Sequence, residues 1–138
     1  MNALCSAVKT CGPLAGRIML ALIFILSGWG KIGGFEGTVG YIASKGLPLP
    51  EVAAAAALVV ELAGGILLIV GWQTRWAATA LLLFMIPTTF IFHNFWAVEP
   101  AQQSMQQIHF MKNIAIMGGM LYVMAFGAGP LSLDNRRQ

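Results

Sequence analysis

Residues 52–70 read VAAAAALVVELAGGILLIV, a run of apolar or small residues interrupted by a single carboxylate, Glu61. A helix of about 20 mostly apolar residues crosses the hydrocarbon of a bilayer. A charge near its middle is too far from water to reach it, so it must turn toward protein. At helical spacings of three, four and seven from Glu61 stand Ala54, Ala57, Gly64, Gly65 and Leu68. Small residues let a neighbouring backbone approach closely, which is how helices associate in lipid. The stretch therefore predicts a membrane helix whose Glu61 lies on a face packed against protein.

Three further windows are long and apolar enough to span: residues 14–30, 76–95 and 108–126. Of the 138 residues, 58% are hydrophobic and 9% charged, with a mean hydropathy of +0.77. Soluble domains carry roughly 25% charged residues. This composition excludes an ordinary water-soluble enzyme, a disordered tail and a disulfide scaffold. The first window carries Arg17, lacks a small-x-small cleavage site and precedes three more spans, so it reads as a transmembrane helix and not a signal peptide. The expected fold is all-α: a single membrane domain over residues 1–138, a bundle of four transmembrane helices at about 14–30, 52–70, 76–95 and 108–126. Between the first two spans, a short amphipathic helix from about Thr38 to Ser44, ended by Gly46, is expected in the interface, either as plain loop structure or as a lid.

Loop charge sets the orientation. Lys9, Arg17, Arg75, Arg136 and Arg137 fall on the side of the termini, against Lys31, Lys45 and Lys112 on the other, where Glu36, Glu51 and Glu99 also lie. The positive-inside rule then predicts both termini in the cytoplasm. This bias accounts for the net charge of +3 without a nucleic-acid partner. The partner expected is the lipid bilayer, with a homo-oligomer or a redox partner subunit beside it. Cys5 and Cys11 form neither a CxxC nor a zinc pattern and read as structural. Gly28, Gly30 and Gly33 spell GxGxxG, but at the end of a membrane helix and without a strand before them they are packing glycines.

Each remaining span also has a small or polar face. The first aligns Arg17, Ala21, Phe24, Gly28 and Lys31; the third gathers Arg75, Thr79, Leu82, Thr89 and His93, with Pro87 able to kink it; the fourth aligns Lys112, Ala115, Gly119 and Tyr122. Turned inward, four such faces make a bundle with a polar seam. At 1.5 Å per residue, Glu61 lies about 14 Å below the end of its helix, Lys112 about 6 Å and His93 about 3 Å. Glu61 and His93 then lean toward each other across a gap fit for water or a ligand. Lys31 and Lys112 flank the gap with positive charge, and Arg17 is a second candidate partner for Glu61. No metal site is expected from His93, His109 and Glu61, since no His pair has one-turn spacing.

Taken in order, Arg17 through Ser27-Gly28-x-x-Lys31, Gly46-Leu47-Pro48, Glu61-x-x-Gly64-Gly65 with Gly71 and Arg75, Thr89 to His93, Lys112-Asn113-Ile114-Ala115 with Gly118-Gly119, and Gly129-Pro130-Leu131-Ser132-Leu133-Asp134 resemble the DoxX family of small four-helix membrane proteins. The resemblance covers nearly the whole chain. It implies a bacterial inner-membrane protein associated with quinone-linked oxidation of sulfur compounds and with thiol or oxidative-stress redox complexes. The paired cysteines used by some related redox proteins are missing, so disulfide exchange is not expected.

The expected function is that of a redox-associated membrane subunit binding a quinone or similar small apolar ligand. Phe24, Phe90, Phe92 and Trp96 would line an apolar slot, with Arg17, Lys31 and Asn113 completing the pocket. Lys112 or His93 would bond a ligand carbonyl, and Glu61 would carry a proton. No covalent cofactor is expected, and no haem, flavin or iron–sulfur motif is present in the sequence, so electrons would come from a partner. One rival is a non-catalytic scaffold, its seam fixing helix register and Trp29, Trp72, Trp76 and Trp96 anchoring it. Another is a small transporter gated by Glu61 and the lysines, for which four helices are few unless it oligomerises, and no inverted repeat is evident.

Overall fold

The computed structural model describes residues 2–137. The chain forms α1 (Asn2–Gly33), α2 (Phe35–Ser44), α3 (Pro50–Val70), α4 (Thr74–Phe92) and α5 (Pro100–Phe126), with 3-10 turns at Phe95–Ala97 and Asn135–Arg137. Helices α1, α3, α4 and α5 are long and apolar enough to cross a membrane. The fold is thus the expected all-α bundle with four spans. An even number of spans puts both chain ends on one side, the termini side; α2 and the α4–α5 connection lie on the other, the loop side.

Two spans are longer than hydropathy alone predicts. Helix α1 starts at Asn2 instead of residue 14 and carries Pro13 inside it. Pro13 removes one backbone donor, yet the helix-forming residues before it keep the helix going. Helix α5 starts at Pro100 instead of residue 108, with Pro in the first turn, where its missing N–H costs nothing. Gln102, Gln103, Gln106 and Gln107 follow; they favour helix but are invisible to a search for apolar residues. Helix α4 runs over Thr74–Phe92 instead of 76–95. Helix α2 begins three residues before Thr38, and Gly46, at φ 74°, follows its end.

In space the spans neighbour one another in the order α1, α3, α4, α5, with only sparse contact closing the ring between α5 and α1. Helix α3 is the hub, and its two adjacent glycines divide the task. A Cβ on Gly64 would stand 2.8 Å from Leu81 of α4, and one on Gly65 2.7 Å from Ile25 of α1. Gly28 of α1 returns the favour against Leu62 and Glu61. Around these approaches Ala21, Phe24, Leu68, Ala78, Leu81, Met85 and Met120 form the core.

The predicted inward faces of α1 and α3 are the observed ones: Arg17, Ala21, Phe24, Ala54, Ala57, Glu61 and Leu68 are all buried. Those of α4 and α5 are rotated. Helix α4 buries Thr74, Ala77, Ala78, Leu81, Met85 and Thr89, leaving Arg75 exposed and Thr79 and Leu82 only half-buried. Helix α5 buries Asn113, Met117 and Met120, while Ala115 is exposed and Tyr122 is 71% exposed. Flexible methionines fill much of these interfaces, and small or polar residues that α4 and α5 do bury, Ala77, Ala78 and Asn113, fall at other positions than the stripes expected.

On the termini side, the last turn of α3 leaves four carbonyls without helical partners, and each is met. Gly71, in the left-handed region at φ 68°, returns its N–H to Leu67. Arg17 donates through Nη1 to Leu68 O at 2.7 Å and Ile69 O at 3.1 Å, and through Nη2 to Leu131 O. Leu133 N–H closes on Val70 O at 3.2 Å. The Asp134 carboxylate then accepts from Gln73 N, Thr74 N and Thr74 Oγ1, capping α4 from outside it. The C-terminal Gly129–Asp134 segment is a staple over the α3–α4 joint. Arg17 belongs to that staple, which corrects its expected place beside a ligand and as a partner for Glu61.

Candidate functional site

In the loop-side half of the bundle, between α1, α3, α4 and α5, lies a cavity of about 650 Å³. Small-molecule sites typically occupy about 300–1,000 Å³. Its walls are mainly apolar, with Ile23, Phe24, Val60, Met85, Ile91 and Ile116 among them. Helix α2 roofs it: Ile42 is buried, and the Tyr41 ring packs on Phe92 with centroids 5.3 Å apart. The glycines flanking α2 and the Pro48–Pro50 turn bring the chain back into α3 at this level.

The polar groups of the cavity fall into two sets. On the α1–α3 side, Lys31 Nζ lies 2.7 Å from Glu61 Oε2 and donates to Ser27 Oγ at 2.7 Å, and Ser27 Oγ donates to Glu61 Oε1 at 3.0 Å. The Lys31–Glu61 contact is ionic and not aligned as a hydrogen bond, since Oε2 has no directed donor. Residues 27 and 31 are one turn apart on α1, so both reach the same carboxylate of α3. On the α4–α5 side, His93 Nδ1 meets Gln106 Oε1 at 2.9 Å, His109 Nδ1 stands 3.3 Å from Lys112 Nζ, and the two imidazoles face each other at 5.2 Å. Deeper, Asn113 Nδ2 donates to Thr89 Oγ1 at 3.1 Å, tying α5 to α4 inside the wall. Among the described residues no cluster of His, Cys, Asp and Glu suits a metal ion.

The profile of the DoxX family matches residues 12–94, which include α1 from its proline onward, α2, α3 and α4. The chain belongs to the DoxX family. Among DoxX-like relatives, the inner membrane protein YphA of Escherichia coli is 39% identical over 89% of this chain and 88% of its own length. The inner membrane protein YqjF of the same organism is 36% identical over 92% of each. The ER-derived vesicles protein ERV29 of Saccharomyces cerevisiae is 28% identical over 59% of this chain and 26% of its own length. No solved structure matches. With four spans and these relatives, this DoxX protein is a multi-pass inner-membrane protein.

The DoxX cavity gathers most of the residues singled out in the sequence: Phe24, Lys31, Glu61, His93, Lys112 and Asn113 all line it, as does Phe92. Three do not. Arg17 lies near the middle of α1, at the termini-side end of α3. Phe90 is 50% exposed, turned away from a helix face that directs Thr88, Ile91 and Phe92 inward. Trp96 is 56% exposed and stacks with Phe90 and Phe110 in an aromatic group outside the cavity. Both were expected to line the slot, but a residue turns by about 100° per step on a helix, which points Phe90 away, and α4 ends at Phe92, before Trp96. Sequence reasoning overlooked Ser27 and Gln106. Only Ser27 carried a signal, its one-turn spacing from Lys31.

Proposed function

We propose that this DoxX protein is a redox-associated membrane subunit that binds a quinone, or a similar small apolar ligand with hydrogen-bonding head atoms, in the cavity between its helices. What supports the reading is the cavity itself: an apolar chamber of ligand size whose donors come from two helices, Lys31 on α1 and Lys112 with His109 on α5. A quinone presents two carbonyl acceptors on one flat apolar ring, and an apolar chamber with donors from two helices suits it. Its reduction to a quinol takes two electrons and two protons. The protein would contribute binding, orientation and the Glu61–Lys31–Ser27 network as a proton path, with electrons supplied by a redox partner protein.

One observation favours the scaffold reading. Glu61 is already satisfied by Ser27 and Lys31 without any ligand, as a purely structural ion pair would be. The two readings separate experimentally. Protein purified in mild detergent is extracted and analysed for quinones by mass spectrometry, and benzoquinone binding is measured for wild type and Lys112→Ala. Co-purifying quinone, with binding weakened about tenfold by the loss of one charge-assisted hydrogen bond, supports a ligand site. Absence of both, with Glu61→Gln impairing assembly alone, supports a scaffold.

A further inference from the structure

The cavity has three continuous walls and one interrupted one. Helices α1 and α5 touch where Leu20 meets Gly119; a Cβ on Gly119 would stand 2.9 Å from the Leu20 side chain. Toward the loop side from that contact, both helices line the cavity, α1 through Ile23, Ser27 and Lys31 and α5 through Ile116, Lys112 and His109. None of these six is fully buried. Contact between α1 and α5 is sparse, which leaves these side chains as the rims of a slot between the two helices.

The rims change polarity together. Moving from the Leu20–Gly119 floor toward the loop side, α1 offers Ile23, then Ser27, then Lys31, while antiparallel α5 offers Ile116, then Lys112, then His109. Apolar side chains line the deep part and donors line the part nearest the membrane surface. That gradient has the same direction as a lipid of the loop-side leaflet, with its head at the surface and tail toward the midplane. Charge points the same way. Lys31 is matched by Glu61 at 2.7 Å, whereas Lys112 meets only the His109 ring nitrogen among the contacts described, so the α5 rim carries an uncompensated cation.

From this we propose that the cavity takes a tailed amphiphile drawn laterally from the loop-side leaflet through the α1–α5 slot, its acceptor-bearing head held between Lys31 and Lys112 and its tail leaving past Ile23 and Ile116. The proposal rests on the cavity being a ligand site and adds the class of ligand and its route. A ligand entering from water would need no tail; one entering through the slot is selected by it.

The test uses the full chain in phosphatidylcholine vesicles, with Trp29, Trp72, Trp76 and Trp96 replaced by Phe and one tryptophan introduced at the rim, Ile116→Trp or, on the opposite rim, Ile23→Trp. Lipids brominated along the acyl chain quench tryptophans they touch, and Leu26→Trp, on the exposed face of α1, is the reference. Quenching of a rim tryptophan comparable to the reference is the expected result. Shielding of both rims overturns the slot, whatever the ligand. In the second arm, a decyl-tailed benzoquinone is compared with its tail-less parent at matched concentrations within the membrane. Tighter binding of the tailed compound by about tenfold or more is expected, and equal binding overturns the amphiphile class. If rim tryptophans are quenched while neither benzoquinone binds, the quinone reading falls and a lipid is the occupant, which the slot proposal predicts equally well.

Discussion

Lys31 and Glu61 show how one pair can serve both stability and a site. Removing one partner of a buried ion pair leaves the other charge in a medium that does not solvate it, a loss of about 3–5 kcal/mol. Lys31 is 20% exposed and Glu61 7%, so Lys31→Met is expected to cost about 3 kcal/mol, at the lower end of that range. The double variant Lys31→Met with Glu61→Gln should recover most of the loss, because neutral Gln can still bond Ser27. Unfolding in detergent of the two single variants and the double variant measures this as a coupling energy; additive losses would mean that the pair does not interact in the folded protein. Near the middle of α1, Arg17 spreads its guanidinium over three carbonyls from two segments. A lysine ammonium is a point charge without that fork. Arg17→Lys is therefore expected to loosen the C-terminal segment, seen as faster proteolysis beyond Gly129 at nearly unchanged helix content. Glu61 was legible in the sequence because a mid-span carboxylate has few possible locations. Arg17 was not, because its partners are backbone carbonyls far away in sequence, and carbonyls leave no trace in residue identity.

Among the helices, legibility followed packing chemistry. Helices α1 and α3 meet through Gly28, Gly65 and alanines, and a small-residue stripe at helical spacing is visible in any sequence. Helices α4 and α5 contribute Met85, Met117, Met120 and Leu81 to the core, which look the same on a lipid-facing and a protein-facing surface. Their rotation, and with it the outward direction of Phe90, could not be read. The stripe makes a quantitative claim. Gly65→Ala puts a methyl group 2.7 Å from Ile25 Cγ1 and 3.4 Å from the Ala21 carbonyl oxygen, and such overpacking costs about 1–3 kcal/mol. Gly30 faces open space, so Gly30→Ala should stabilise by up to about 1 kcal/mol through helix propensity alone. Thermal stability of the two variants in one detergent checks the pair. Equal shifts would show that the close approach of α1 to α3 does not limit the bundle.

For the whole molecule, the structure strengthens an argument that composition made only narrowly. Counted by sequence, Lys and Arg favour the termini side by five to three. Three of those eight are committed elsewhere: Arg17 to the staple, and Lys31 and Lys112 to the cavity. What remains is Lys9, Arg75, Arg136 and Arg137 on the termini side against Lys45 on the other. The positive-inside rule acts on charges in short loops and near span ends, so the bias that guides insertion is four to one, and both termini are expected in the cytoplasm. The cavity, its α2 roof and the α1–α5 slot would then lie in the outer half of the inner membrane. Fusions at the C-terminus decide this. A fluorescent protein that matures only in the cytoplasm should be bright there, and alkaline phosphatase, active only outside, should be silent. The opposite pattern would invert the molecule and turn the same cavity toward the cytoplasm, requiring its ligand to be drawn from the inner leaflet.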